Sequence, residues 1–354
     1  MSLSKYSKFW KNKKVLITGN TGFKGAWLTQ ILSLFGAKIY GLSISVPTTP
    51  SLFEILNHKE KIQTFFCDIR NASNVNSVIK KVKPDFIFHL AAQSLVSESY
   101  INPRYTFETN IIGTFNVLEA ANNNLKNSKV IIVTSDKCYK NLNIFKRYKE
   151  GDELGGNDPY SASKAMAEMI THSMRNSFKS LNGTKIATVR AGNVIGGGDW
   201  SSNRLVPDII CSIFKKQKLV IRNPKMVRPW QHVLEPLFGY IMVAQKLSLK
   251  NSSSYENEWN FGPNKSSEVN VKNLVEIFGN YHPIPNIIFS KTMLFHEEKY
   301  LALSSSKAKN KIKWFPKLTL KDSVKYTYEW YDAFYNGIEI HNTTNNQIIS
   351  YLTK

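Results

Sequence analysis

The feature that most constrains this chain is Gly19-Asn-Thr21-Gly22-Phe23-Lys-Gly25, set between two patterns of different period. Before it, Lys14-Val-Leu-Ile-Thr18 is a short apolar run, which reads as a buried strand. After it, Ala26 to Phe35 has apolar residues at helical spacing and stops at Gly36, a residue suited to a helix C-terminus. Glycines in that place let the backbone turn tightly and come close to an anion. The helix start adds free N–H groups and the positive end of the helix dipole. Such a turn is built to hold a pyrophosphate.

The alternation continues. Ile39 to Leu42, Ile62 to Cys67, Phe86 to Leu90, Val130 to Val133 and Lys185 to Val189 read as further strands, with Ile112 to Ala121 a helix among them. Strands that alternate with helices form parallel βαβ units, so the expected fold class is α/β: a doubly wound parallel sheet of Rossmann type. Beyond Arg190 the pattern turns irregular, with Gly196-Gly-Gly198, Pro207, Pro224, Pro229 and Pro236. Residues 1–190 are expected to form a dinucleotide-binding domain that carries the catalytic groups. Residues 191–354 are expected to form a smaller, interleaved C-terminal substrate domain, with a segment at about 232–262 returning to the first. The 354 residues suffice for both. The tail after Gly337, with Asn342-Thr-Thr-Asn-Asn346, reads as polar and loosely ordered.

Several motifs fall at the carboxyl ends of these strands, where open α/β sheets bind ligands. Asp68-Ile69 closes the third, placed either to reach an adenine edge or to cap the helix that follows from Asn71. Leu90-Ala91-Ala92 follows the fourth and is small enough for a cofactor to pass. An acid about 20 residues past the glycines would hold the adenosine ribose. None occurs from Ala26 to Phe53, and no Arg stands there to take a 2′-phosphate. Ser43 or Ser45 is left as a ribose partner, and NAD against NADP stays open.

Thr134-Ser135-Asp136-Lys137 follows the fifth strand. Tyr160 and Lys164 are four apart, hence on one helix face. A tyrosine titrates near pH ~10. A neighbouring ammonium favours the phenolate, so Lys164 is expected to lower that value for Tyr160. The hydroxyl of Ser135 or Thr134 can share the proton. Tyrosine, lysine and a hydroxyl suffice to oxidise an alcohol onto a nicotinamide. Asp136 and Lys137 are surplus to that step, and an adjacent acid and base are what loss of water from the oxidised product needs.

Composition limits the alternatives. The formal charge is +21, yet no block of five basic residues occurs, so it reads as solvated lysine spread over the surface and not as a nucleic-acid footprint. A basic surface would still draw a diphosphate-bearing small molecule. No run approaches the ~18 apolar residues of a membrane span, and Met1 to Lys14 lacks the apolar core of a secretory signal. Cys67, Cys138 and Cys211 show no C-x-x-C spacing, which argues for a reducing, cytoplasmic setting and against a structural metal.

Together these motifs resemble the extended short-chain dehydrogenase/reductase superfamily over roughly Lys14 to Pro263. Longer strings are similar to the CDP-glucose 4,6-dehydratase family within it. They are Phe86 to Gln93, Thr109-Asn110-Ile-Ile-Gly113-Thr, Thr134 to Tyr139, Arg190 to Trp200, Arg228-Pro-Trp-Gln-His-Val233, Pro47 to Glu54 and Trp259 to Pro263. Related dehydratases carry a glutamate where Lys137 stands, and the CDP-glucose branch shares the lysine. The resemblance implies NAD as cofactor and an internal redox cycle on CDP-glucose that serves deoxysugar and lipopolysaccharide O-antigen synthesis. In that cycle Tyr160 is the base at the 4-hydroxyl and Asp136 the acid at the 6-hydroxyl. Lys137 is either the C5 base, for which it must be neutral, or a cation that holds an enolate. Arg222 and Arg228 would grip the diphosphate, and Gln93, Asn193, Arg204 and His232 would meet sugar or phosphate, each with a purely structural role as its alternative. Asn110 is expected to organise backbone. The helices from Asn110 and from Tyr160 are expected to form a four-helix contact in a homodimer or larger homo-oligomer. Rival readings are a dTDP- or GDP-linked dehydratase, a 4-epimerase, which has no need of Asp136 and Lys137, and a silent NAD sensor, against which Ser135, Tyr160 and Lys164 argue.

Overall fold

The computed structural model describes residues 3–178, 183–290 and 300–354. Its centre is a seven-stranded sheet: β1 (Lys14–Thr18), β2 (Lys38–Ser43), β3 (Gln63–Phe66), β4 (Phe86–His89), β5 (Lys129–Val133), β6 (Lys185–Ala191) and β7 (Glu258–Phe261). The spatial order is β7-β6-β5-β4-β1-β2-β3, and every neighbouring pair is parallel. The order reverses between β1 and β4, so a crevice opens at their carboxyl ends. The six strands read from sequence are all present. β7 was not among them: it adds to the far edge beside β6, from a segment expected to return to the sheet.

Helices cover both faces. Phe23–Leu34 and Leu234–Leu247 lie on one side in the larger apolar cluster, with Trp27, Ile31, Leu237 and Ile241 fully buried. Ala72–Val82 and Gly113–Asn124 cover the other, through Val75, Ile79, Val117 and Leu118. The inner strands β1, β4, β5 and β6 are buried on both faces, which is why they read as continuous apolar runs without alternation, whereas β3 is an exposed edge.

The C-terminal tail corrects the expectation of loose order. Ile340–Thr353 is a helix, because Ile340, Thr344, Ile348 and Leu352 recur at helical spacing and are buried. Its polar groups are also engaged. Trp330 Nε1 donates to Thr344 at 2.9 Å, Gln30 Nε2 to Asn345 at 2.7 Å, and Tyr351 OH to Glu235 at 2.8 Å.

One buried ion pair joins the elements that carry the motifs. Arg190 on β6 donates two 2.8 Å bonds to the two carboxylate oxygens of Glu168, on helix Pro159–Ser177. Glu168 also accepts from Thr134 and, at 2.7 Å, from Thr188. Arg190 reaches Tyr139 OH at 2.6 Å, and that hydroxyl donates to Asn260 of β7 at 2.8 Å. Removing one charge of such a pair leaves the other buried alone, which typically costs ~3–5 kcal/mol. Glu168→Gln is therefore expected to lower stability by about that amount, read as a fall in the urea-unfolding midpoint; a change below about 1 kcal/mol would show that the pair does not hold this region.

Candidate active site

The glycine turn ends β1 and starts the helix Phe23–Leu34. Gly19 has φ +73°, and a Cβ there would lie 2.7 Å from Ala91 N, so the turn and the loop after β4 pack backbone to backbone. No side chain caps the helix at Gly22, so its first N–H groups stay open to an anion. The turn is braced from β2: Ser43 Oγ donates to Asn20 at 2.8 Å, and Thr21 Oγ1 to the Ser45 carbonyl at 2.7 Å.

The catalytic motifs meet at the end of β5. Ser135 Oγ donates to Asp136 at 2.9 Å and accepts from Lys137 N at 3.2 Å. Tyr160 lies close enough to Ser135 for that hydroxyl to favour its phenolate. Thr134 instead turns back to Glu168, so of the two candidate hydroxyls only Ser135 faces Tyr160. Lys164 donates to the Val133 carbonyl at 3.4 Å. A Cβ at Gly192 would stand 2.6 Å from Asp136 Oδ2, so only glycine leaves room for this carboxyl.

A cavity of about 740 Å³ runs along these groups. It brings together the expected cofactor contacts Gly19, Thr21, Gly22, Phe23, Gly25, Ser43, Asp68, Ile69, Leu90, Ala91 and Ala92 with Ser135, Asp136, Lys137, Tyr160 and Lys164. Asn193, Arg204, Arg222 and Arg228 line it as well. Asp68 holds Arg70 through 2.8 Å bonds, and the cap of the helix Ala72–Val82 is Asn71, not Asp68. The long trough, open helix start and close-packed glycines fit an extended dinucleotide beside a second anionic ligand.

Two expected contacts lie outside it. Gln93 is buried, and its side chain bonds Thr106 at 2.9 Å and the Leu95 backbone at 2.6 and 3.0 Å. His232 is fully buried between Trp27 and Tyr326, with Nδ1 accepting from Leu234 N. Both are packing residues within strings that otherwise line the cavity. Asn110 bonds both backbone groups of Gln93 and also Ser163, the organising role expected of it.

Burial dominates the electrostatics. It pushes Asp136 above the usual carboxylate range, against the pull of Lys137, Ser135, Lys24 and Arg228. It pushes Tyr160 up to about 12, opposed by the Ser135 hydroxyl. The expected lowering of Tyr160 by Lys164 does not prevail, because desolvation of the phenolate outweighs neighbouring charges. Lys164 falls to about 8, through burial and then the charge of Lys24.

Lys24 was missed in the sequence. It lines the cavity inside the glycine turn, close enough to Asp136, Arg204 and Asp199 to feel their charges. The signal was available: a cation between Phe23 and Gly25 has no packing reason to sit at a helix start, where the dipole disfavours it.

A parallel sheet of this order, with a glycine turn and Ser, Tyr and Lys at its carboxyl edge, defines the extended short-chain dehydrogenase/reductase class. Within that class, the chain belongs to the GDP-mannose 4,6 dehydratase family, whose model matches residues 16–327. It is 39% identical to CDP-glucose 4,6-dehydratase of Salmonella typhimurium over 98% of each chain. It is 26% identical to CDP-paratose 2-epimerase of Salmonella typhi, over 90% of this chain and 98% of the relative. Among solved structures, dTDP-glucose 4,6-dehydratase from Bacillus anthracis in complex with NAD superposes with a TM-score of 0.76. That match has 23% identity and covers 93% of this chain and 99% of the other. Among the described residues no helix is long and apolar enough to cross a membrane, and no group of His, Cys, Asp and Glu is arranged to hold a metal.

Burial and the charge of Arg204 bring Lys24 down to about 8 from 10.5, so below about pH 8 the folded state carries a desolvated ammonium that the unfolded state hydrates. Between about 8 and 10.5 the folded state gives up the proton first and the cost fades. Lys24→Met is expected to raise the thermal midpoint at pH 7, with the gain shrinking across that window. A lower midpoint at pH 7, or a difference that does not vary with pH, contradicts this.

Proposed function

We propose that the protein is an NAD-dependent CDP-glucose 4,6-dehydratase, converting CDP-D-glucose to CDP-4-dehydro-6-deoxy-D-glucose and water. The observation that carries the reading is the Ser135-Asp136-Lys137 turn facing Tyr160: an acid and an amine stand beside an alcohol-oxidising pair. Full-length kinship with the Salmonella CDP-glucose enzyme supports the choice of nucleotide. A 4-epimerase would have no use for the acid.

Bound in the trough, NAD would accept a hydride from C4 and return it to C6. Gly19, Gly22 and Gly25 would receive its pyrophosphate on the open helix start, and Leu90 to Ala92 would flank its middle. Ser43, engaged with Asn20, would meet the ribose expected there. Tyr160, with Ser135 relaying, takes the proton of the sugar 4-hydroxyl. Lys164 and Lys24 supply positive charge that favours the phenolate as it forms. Asp136, whose affinity for a proton is raised by burial, gives a proton to the departing 6-hydroxyl. Lys137 serves C5, as the base or as the cation that holds the enolate. Arg204, Arg222 and Arg228 line the route of the diphosphate, with Asn193 beside the sugar.

Residues 1–190 serve the cofactor and the chemistry in this reading. Residues 191–354 serve the nucleotide sugar, with 232–262 lending Leu234–Leu247 and β7 back to the sheet. Exposed Ile112, Met166 and Met169 on the helices that would pair support a homodimer or larger homo-oligomer. Three free cysteines suit the cytoplasm.

Hydroxide leaves poorly without an acid, whereas hydride transfer has no need of Asp136. In Asp136→Asn, a single turnover with CDP-glucose is therefore expected to accumulate NADH and slow product formation by ~10²-fold or more. Product at the normal rate, or no NADH at any time, would remove Asp136 from the elimination.

A further inference from the structure

The cavity does not end at the arginines. Past Arg204 it continues between the start of the helix Leu205–Lys215 and the strand Leu219–Ile221. Val220, Met226 and Val271 give the walls there an apolar part, beside the polar Asn203, Arg222 and Asn223. With the sugar at Tyr160 and the diphosphate along the arginines, this arm is where the nucleoside lies. One carboxylate opens into it. Asp208, half-buried, lines the arm and makes no side-chain hydrogen bond or ion pair among the described residues. Arg222 is close enough for its charge to act on it.

A carboxylate in the first turn suits the helix dipole wherever it points. That explains an acid at this end of the helix, but not one lining an arm of the cavity, where burial penalises its charge. Burial raises Asp208 to about 6, so it remains mostly ionised above neutral pH, and an ionised carboxylate only accepts hydrogen bonds. The pyrimidine bases differ at one position in the matching sense. Cytosine carries an amine donor at C4, whereas uracil and thymine carry a carbonyl acceptor. A carboxylate bonds the first and repels the second.

We propose that Asp208 is the specificity-determining residue for the nucleotide base: its carboxylate accepts a hydrogen bond from the 4-amino group of cytosine and turns away uridine and thymidine substrates. Val220 and Met226 form the apolar bed of the ring, and Arg222 spans from the base arm toward the diphosphate. Selection rests on a mismatch as much as on a bond, since a uracil oxygen facing a carboxylate leaves two acceptors unpaired. The inference deepens the CDP-glucose reading and rests on it.

The test compares kcat and KM for CDP-, UDP- and dTDP-glucose in the wild type and in Asp208→Asn, with NAD present. Calorimetric binding of CDP and UDP to the same proteins is measured alongside. Asparagine keeps the size and adds an N–H donor that a uracil carbonyl accepts. The variant is expected to lose roughly 10- to 100-fold in kcat/KM for CDP-glucose through KM, with kcat kept, and to gain on UDP-glucose. The calorimetric preference for CDP over UDP should fall in step. Asp208→Ser, shorter and uncharged, repeats the comparison should the amide disturb the helix. A wild type that prefers CDP-glucose, with variants that keep the same CDP:UDP ratio, overturns the role of Asp208 and leaves the proposed reaction standing. A wild type that works on dTDP- or UDP-glucose in preference to CDP-glucose overturns both.

Discussion

The buried pair of Glu168 and Arg190 is the interaction on which the site depends. A fork of two 2.8 Å bonds, with neither side chain exposed, fixes β6 against the helix that carries Tyr160 and Lys164. The remaining capacity of both groups is used on the neighbours. Glu168 takes the Thr134 and Thr188 hydroxyls, and Arg190 takes Tyr139 and the Glu150 carbonyl. A charge pair this deep is tolerable only when its lone pairs and protons are satisfied. What it secures is geometry. Thr134 and Tyr139 bracket Ser135, Asp136 and Lys137, so the turn that bears the chemistry is anchored at both ends to elements from distant parts of the chain.

On that anchored turn, function is set by how burial and charge compete. Asp136 is buried in company with cations, and burial wins, which holds its carboxyl above the usual carboxylate range as the proposed acid requires. Tyr160 is also pushed toward its protonated form, so a base there depends on charge supplied around it at the moment of reaction. Burial brings both Lys24 and Lys164 down to about 8, with the charge of Arg204 adding to the first and that of Lys24 to the second. The site thus concentrates groups that titrate in the wrong place for stability and the right place for proton transfer. Such arrangements gather where stability has been given up for activity.

Much of this was legible in the chain. β1, β4, β5 and β6 are buried on both faces, so they stand out as apolar runs, and the glycine turn fixes which end of the sheet binds ligand. β7 escaped because Glu258 and Asn260 make it look polar; Asn260 is there to bond Tyr139 and the Tyr148 carbonyl, a need visible only once those residues are neighbours. The tail helix escaped because asparagine and threonine hid the spacing of Ile340, Ile348 and Leu352. Gln93 and His232, offered as substrate contacts by the strings around them, are buried outside the cavity lining. Lys24 and Asp208 carry charge at helix starts, and their meaning needed the cavity to be seen.

The central claim is that one closed site oxidises C4, expels water across C5 and C6, and returns the same hydride to C6. It is tested most directly with CDP-glucose carrying deuterium at C4, incubated with the protein and NAD and followed by mass and NMR of the product. The account predicts a 4-dehydro-6-deoxy product with the deuterium at C6 and no net NADH. Deuterium absent from C6, or NADH formed in step with the sugar consumed, would contradict it.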